Sequence, residues 1–209
     1  MFPLYDENPS KTRPYVTWSL IALNVIVFVW WVSGGMSASV FDIFGETPAY
    51  VLRGERLYTV FTSMFLHGGI AHIFGNMLYL FIFGDNVEDT FGHGKYLILY
   101  LFFGVVGGLV HSFVTVTPDI PAVGASGAIS GVLGAYVLFF PRARVVSIVP
   151  SYFFIRLARI PAVVFIGFWF LLQLLLSGSP TGVAYWAHIG GFVAGFIAAV
   201  LYRIARALA

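Results

Sequence analysis

Six apolar segments follow one another along this 209-residue chain, at about 16–34, 69–84, 95–115, 126–140, 161–177 and 184–202. A helix that spans a bilayer needs ~20 mostly apolar residues, and each segment meets or approaches that length. Only 10% of the residues are charged, against roughly 25% in a soluble domain, so the chain has too little charge to cover a surface facing water. We therefore expect an all-α membrane protein with six transmembrane helices, folded as a single domain over residues 1–209.

The basic residues predict how these helices are oriented. If all six segments span, both termini and the second and fourth loops lie on one side of the membrane. That side carries nine of the eleven basic residues: Lys11, Arg13, Lys95, Arg142, Arg144, Arg156, Arg159, Arg203 and Arg206. The other side has only Arg53 and Arg56. Because cytoplasmic loops are enriched in Lys and Arg, we expect a multi-pass protein of the cell membrane with both termini in the cytoplasm.

The first apolar segment is expected to remain in the protein. The 14 residues before it are polar and lack the layout of a signal peptide. A cleaved first segment is the alternative, because the small residues GGMSAS follow it.

Polar residues of three segments share one predicted depth. His72 and Asn76 lie in the outer half of the second segment, Ser126 lies in the first turn of the fourth, and His188 lies about one turn into the sixth. At a rise of 1.5 Å per residue, all four lie near the outer face. Polar groups within a membrane are costly and usually mark function, so this layer is the candidate site.

Small residues predict how the layer is assembled. Gly191 and Gly195 follow the histidine with the G-x-x-x-G spacing that lets two helices approach closely. The fourth segment has Gly127 and Gly131 on one face and small residues on another. We expect this short helix to be central and to pack against the sixth, which would bring the serine and the histidine together.

Each of these residues also has a purely structural interpretation. Ser126 could bond a carbonyl one turn back, His188 could be a satisfied core histidine, and Asn76 could link two helices. The common depth favours chemistry, because residues that only pack helices have no reason to share a level.

A serine hydroxyl becomes nucleophilic when a base, usually histidine, accepts its proton. None of the nine acidic residues falls in the outer half of a segment, so we expect a Ser126–His188 dyad rather than a triad with a carboxylate. His72, Asn76 and the Ser126 backbone N–H are candidates to stabilise an oxyanion. The site would open to the extracytoplasmic side.

Other functions have less support. Without cysteine the chain has no disulfide, thiolate ligand or cysteine nucleophile, and it has no H-E-x-x-H pair for zinc and no pair of intramembrane acids. A net charge of +2 gives no support to a nucleic-acid partner. We expect neither a metal nor a cofactor.

Four motifs together resemble the rhomboid family of intramembrane serine proteases. They are HIFGN at 72–76, GDNVE at 84–88, GASG at 124–127 and AHIGGFVAG at 187–195, and they occur in the family's order on the predicted helices. The resemblance implies a six-helix rhomboid-like bundle in which Ser126 is the nucleophile and His188 the general base and acid. It also implies that His72 and Asn76 support the oxyanion and that Glu88 is a structural hydrogen-bonding residue. The implied substrates are single-span proteins of the bilayer, cleaved near the outer face.

The chain departs from the family pattern at two places. Tyr58 and Thr59 stand where many members have Trp-Arg, and Ser130 stands where many carry an aromatic residue that stacks on the histidine ring. We expect the histidine to be held differently, against Tyr185 or Trp186.

Two alternatives remain. A non-catalytic rhomboid-like protein would bind transmembrane helices without cutting them, although such proteins lack the serine or the histidine. A small transporter or channel would need a polar path through the inner half of the bundle, and the polar layer ends near Asn76.

Overall fold

The computed structural model describes residues 1–35, 39–150, 155–179 and 181–208, and most of them are helical. The helices are α1 (Tyr15–Trp30), α2 (Val40–Phe44), α3 (Pro48–Leu52), α4 (Thr59–Thr62), α5 (Ile70–Phe91), α6 (His93–Val114), α7 (Ser126–Phe139), α8 (Ala162–Leu176) and α9 (Tyr185–Ala207). A π-helical turn, Trp31–Gly35, follows α1, and a 3-10 turn, Ser63–Phe65, follows α4. The structure is mainly helical, as predicted. Residues 36–38, where the alternative cleavage would fall, lie outside the described residues.

Four of the described helices are long and apolar enough to cross a membrane: Tyr15–Gly34, Ile70–Phe91, His93–Val114 and Tyr185–Ala207. The remaining two predicted spans correspond to α7 and α8, which are apolar but only 14 and 15 residues long. Length and composition thus identify four spans, whereas the sequence predicted six.

The short helix α7 lies at the centre of the bundle. Every residue from 127 to 136 is buried, and α7 packs against α5, α6, α8 and α9. A helix surrounded by other helices does not need the full length of a lipid-exposed span. The predicted central position of this helix is confirmed.

Glycine allows α7 and α9 to lie side by side with their backbones in contact. A Cβ atom on Gly191 would overlap the carbonyl oxygen of Gly127, and one on Gly195 would overlap the carbonyl oxygen of Gly131. Any other residue at either position would push the helices apart. This contact places the first turn of α9 beside the first turn of α7.

A three-stranded antiparallel sheet corrects the expectation of an all-α fold. Its strands are β1 (Phe2–Asp6), β2 (Arg144–Pro150) and β3 (Ile155–Pro161), in the order β1-β2-β3. The sheet packs along the bundle, since β1 contacts α5, and β2 and β3 contact α8. The sequence pattern does not predict these strands, because each is short and because Arg156 and Arg159 interrupt the apolar pattern of β3.

Helix α5 extends to Phe91, beyond the predicted end at residue 84, because its acidic residues find partners there. Glu88 is fully buried. Its carboxylate accepts hydrogen bonds from the backbone N–H groups of Val16 (2.9 Å) and Thr17 (2.8 Å) and from the Thr17 hydroxyl (2.7 Å). N–H groups in the first turn of a helix have no partner within the helix, so Glu88 joins the start of α1 to α5.

Candidate active site

Ser126 and His188 form a hydrogen bond across the contact between α7 and α9. Ser126 is the first residue of α7 and His188 lies in the first turn of α9. The distance from Ser126 Oγ to His188 Nε2 is 2.8 Å. The small residues of both helices predict this proximity.

Gln173 of α8 holds the other side of the histidine ring. Its Nε2 donates to the carbonyl oxygen of Trp169 (3.0 Å), which leaves Oε1 facing His188 Nδ1 at 2.8 Å. An amide oxygen can only accept, so Nδ1 carries the proton and Nε2 is the acceptor for the Ser126 hydroxyl. The structure thus assigns His188 the tautomer that a general base requires.

Sequence reasoning missed Gln173, although a signal was present. It is the only Gln, Asn, Asp, Glu, His, Lys or Arg between residues 160 and 187, and it lies in an otherwise apolar helix. Its position near the outer end of the fifth segment matches the depth of the polar layer.

Aromatic rings complete the surroundings of the imidazole. The Tyr185 ring approaches the His188 ring edge-on, with 6.3 Å between centroids, and the Trp169 ring lies 6.0 Å away. Tyr185 is one of the two residues predicted to hold the histidine, and Trp169 was not predicted. The Ser130 hydroxyl donates to the Ser126 carbonyl at 2.6 Å and so bonds its own helix.

Gly124 separates His72 from Ser126. Its φ of +129° lies in a region that L side chains rarely adopt. A Cβ at this position would be 2.8 Å from His72 Nε2 and 3.6 Å from Ser126 Oγ. The Gly68 N–H lies 3.4 Å from His72 Nδ1, which favours the tautomer with its proton on Nε2, the nitrogen beside Gly124.

Asn76 and His67 support His72 from two sides. Asn76 lies one turn further along α5, and its Nδ2 donates to the His72 carbonyl at 2.9 Å. The buried His67 ring packs edge-on against the His72 ring, with centroids 5.0 Å apart. Burial lowers the pKa of His67 to about 4, and repulsion between the two rings when His72 is protonated contributes a smaller part of this shift. The His67 ring that packs against His72 is therefore uncharged at physiological pH.

The fold brings three of the predicted site residues together and leaves the other two further away. His72, Ser126 and His188 surround one point, and Asn76 is a turn away from it. Glu88 lies 16 residues after His72 on the same helix, which places it about 24 Å away, at the opposite end of the bundle.

A buried carboxylate lines the same cavity as the serine, and it comes from the first loop rather than from a helix. Glu46 is buried and accepts a hydrogen bond from the Ser112 hydroxyl at 2.8 Å. It lines a cavity of about 30 Å³ together with Ser126, Gly124 and His111. Burial raises the pKa of Glu46 from its ordinary 4.5 to about 7. Glu46 lies in the loop between α2 and α3, so the apolar pattern of the helices gives no signal of its burial.

The raised pKa of Glu46 predicts a stability that falls with pH. Below pH 4.5 the carboxyl is protonated in both the folded and the unfolded protein. Between pH 4.5 and about 7 the unfolded chain loses this proton and the folded protein retains it, so the free energy of unfolding falls by up to roughly 3 kcal/mol. Thermal unfolding in detergent at pH 5 and pH 8 measures this fall, and Glu46→Gln is expected to reduce it.

Glu55 provides the control for this measurement. It is exposed and pairs with Arg53, so Glu55→Gln should keep the wild-type pH dependence. If Glu46→Gln loses as much stability between pH 5 and pH 8 as the wild type does, Glu46 is not the group that titrates.

No group of three or more His, Asp and Glu side chains in the described ranges is arranged to hold a metal ion.

Comparison with known proteins identifies the family of the chain. A family model described as the Rhomboid domain matches residues 54–205, which include all four residues around the site. The chain belongs to the rhomboid family. The family and the apolar helices together make it an integral membrane protein, as predicted.

Several curated rhomboid proteins are similar to the chain. Rhomboid protease GluP of Bacillus subtilis (strain 168) is 30% identical over 98% of this chain and 39% of its own length. RHOMBOID-like protein 1 of Arabidopsis thaliana is 30% identical over 74% of the chain and 36% of its own length. RHOMBOID-like protein 4 of the same plant is 35% identical over 70% of the chain and 34% of its own length. The chain thus spans well under half the length of these relatives.

Proposed function

We propose that this rhomboid is a serine endopeptidase that cleaves transmembrane segments of single-span membrane proteins by a Ser126–His188 dyad. The observation that carries the proposal is the chain of hydrogen bonds from Gln173 through His188 to Ser126. It provides a nucleophile, a base of the correct tautomer and a group that orients the base.

In the first step Ser126 Oγ attacks the carbonyl carbon of the scissile bond and its proton passes to His188 Nε2. The resulting oxyanion accepts hydrogen bonds from His72 Nε2–H, from the Ser126 backbone N–H and from the second N–H of the Asn76 amide. His188 then gives the proton to the leaving amine, and an acyl ester on Ser126 remains. Water hydrolyses the ester in a second round of the same proton transfers. The cavity beside Ser126 is large enough for a water molecule.

The membrane arrangement of this proposal has six spans, because the apolar α7 lies among the long helices and the apolar α8 packs against α7 and α9. The distribution of basic residues supports cytoplasmic termini and a site that opens to the extracytoplasmic side. The site lies within one or two turns of the starts of α5, α7 and α9, so a substrate would be cut near one end of its span.

The test is cleavage of a single-span model protein reconstituted with the enzyme in liposomes, with the products identified by mass spectrometry. We expect one cut within the outer third of the substrate span. A substrate that cross-links to the protein but remains intact would instead identify a non-catalytic helix binder.

Gln173 is proposed as a positioning residue that acts through His188. Gln173→Met keeps the length of the side chain and removes the acceptor, so the imidazole loses one hydrogen bond. We expect kcat to fall about tenfold, the equivalent of one hydrogen bond, with KM unchanged. Leu174→Met at the exposed neighbouring position is the control and should change neither constant. A wild-type kcat for Gln173→Met would mean that packing alone holds the ring.

A further inference from the structure

A groove opens at the end of the bundle remote from Ser126, where three helices end together. Its volume is about 530 Å³. The residues that line it come from the ends of α5, α7 and α9: Thr90, Phe139, Phe140, Tyr202, Arg203 and Arg206. None of them belongs to the proposed active site.

One wall of the groove is aromatic and fixed in place. The Tyr202 ring packs edge-on against Phe91, with 4.9 Å between centroids, and against Phe139 at 6.0 Å. The Tyr202 hydroxyl donates to the Thr90 carbonyl at 2.7 Å, which satisfies its polar end. The rings therefore present a preformed apolar surface.

The rim of the groove is cationic. Arg206 Cζ and Lys95 Nζ lie 5.8 Å and 5.9 Å from the centroid of the Tyr202 ring, and Arg203 donates to the Leu138 carbonyl at 3.4 Å. Among the described residues none of these three cations forms an ion pair. All three are exposed, so their charge is available to a ligand.

The nearby acidic side chains do not neutralise this charge. Asp89 accepts hydrogen bonds from the backbone of Lys11 and Thr12, and Glu88 is buried against the start of α1. Both carboxylates are thus held by the segment before and within α1.

We propose that this groove binds an anionic phospholipid, with its phosphate between Arg203 and Arg206 and an acyl chain along the aromatic wall. Arginine recognises phosphate through several parallel hydrogen bonds, and basic pockets between helices at a membrane surface are suited to lipid headgroups. The apolar wall indicates a lipid rather than a free phosphate, because a headgroup alone would leave it uncovered. Exposed Leu201 and Ile204 beside the arginines place this part of α9 at the boundary between apolar lipid and headgroups.

The experiment is native mass spectrometry of the full chain in a neutral detergent, titrated with phosphatidylglycerol or with phosphatidylcholine of the same acyl chains. Glycerol phosphate, which is the headgroup without chains, serves as competitor. The groove variant is Arg203→Gln with Arg206→Gln. The matched control is Arg142→Gln with Arg144→Gln, which removes the same charge from exposed positions just after α7, outside the groove.

We expect one phosphatidylglycerol to bind in preference to phosphatidylcholine. We expect the groove variant to weaken this binding about 100-fold, since loss of a hydrogen bond between charged groups lowers affinity roughly tenfold for each arginine. The control pair should weaken it less than about threefold, and glycerol phosphate should not compete. Equal losses in the two variants would assign the binding to diffuse charge and overturn the proposal. Effective competition by glycerol phosphate would overturn it in favour of a simple anion site. Thermal unfolding of both variants confirms that each is folded.

Discussion

A Ser126→Ala variant is expected to lose cleavage of the model substrate by a factor on the order of 10⁴ or more. The variant removes the atom that forms the acyl ester, and loss of a serine nucleophile in other hydrolases has effects of this size or larger. Initial rates in liposomes, with substrate and enzyme at fixed density, measure the loss. The fold should persist, because the hydroxyl contributes one hydrogen bond to His188 and does not form the helix contact.

Ser130 is the matched control for this substitution. It lies one turn later on the same helix, is buried, and bonds the Ser126 carbonyl. Ser130→Ala removes the same atom type and should change the rate by less than about tenfold, the equivalent of one hydrogen bond. Equal rates for the wild type and Ser126→Ala would show that this serine only packs helices.

Replacing Gly124 by alanine is expected to lower kcat about 100-fold. The new Cβ would lie 2.8 Å from His72 Nε2, so the imidazole must move away from the point where the oxyanion forms. Loss of one oxyanion donor costs 10²- to 10³-fold in other serine proteases, which sets this rough scale. Kinetics with the single-span model substrate solubilised in detergent would separate kcat from KM.

Gly54 provides the control for backbone strain. Its φ is +75° and no atom lies within 4 Å of the position of its Cβ. Gly54→Ala therefore carries the strain of positive φ without a contact with the site, although strain is less severe at this φ than at +129°. If both alanine variants lose activity equally, strain alone accounts for the effect of Gly124.

The parts of the site that could be predicted from sequence are those carried by helices with a clear apolar pattern. The spacing of His72 and Asn76, the position of Ser126 at a helix start, and the glycines after His188 all follow from helix geometry and from the cost of polar groups in lipid. The same features belong to the motifs that resemble the rhomboid family, and the comparisons confirm membership of that family. The roles of the residues stay predictions until activity is measured.

The parts that could not be predicted depend on contacts between distant segments. Glu46 lines the cavity beside the serine because the loop between α2 and α3 folds inward, and no local sequence pattern predicts how that loop folds. Gln173 stands out in the sequence as a polar residue in an apolar helix. Its hydrogen-bond partner, His188, could not be predicted because it depends on which face of α8 packs against α9. The sheet could not be predicted from local sequence because β1 and β2 pair across more than 130 residues, as in the pairing of Phe2 with Ile148.

The most direct test of the Ser126–His188 dyad is labelling by a fluorophosphonate, which forms a covalent bond with an activated serine. The protein would be labelled in detergent, digested and mapped by mass spectrometry, in the wild type and in His188→Ala. The account predicts label on Ser126 alone in the wild type, and a loss of labelling rate of at least about 100-fold in His188→Ala. Label on another serine, or equal labelling of Ser126 in both proteins, would contradict it.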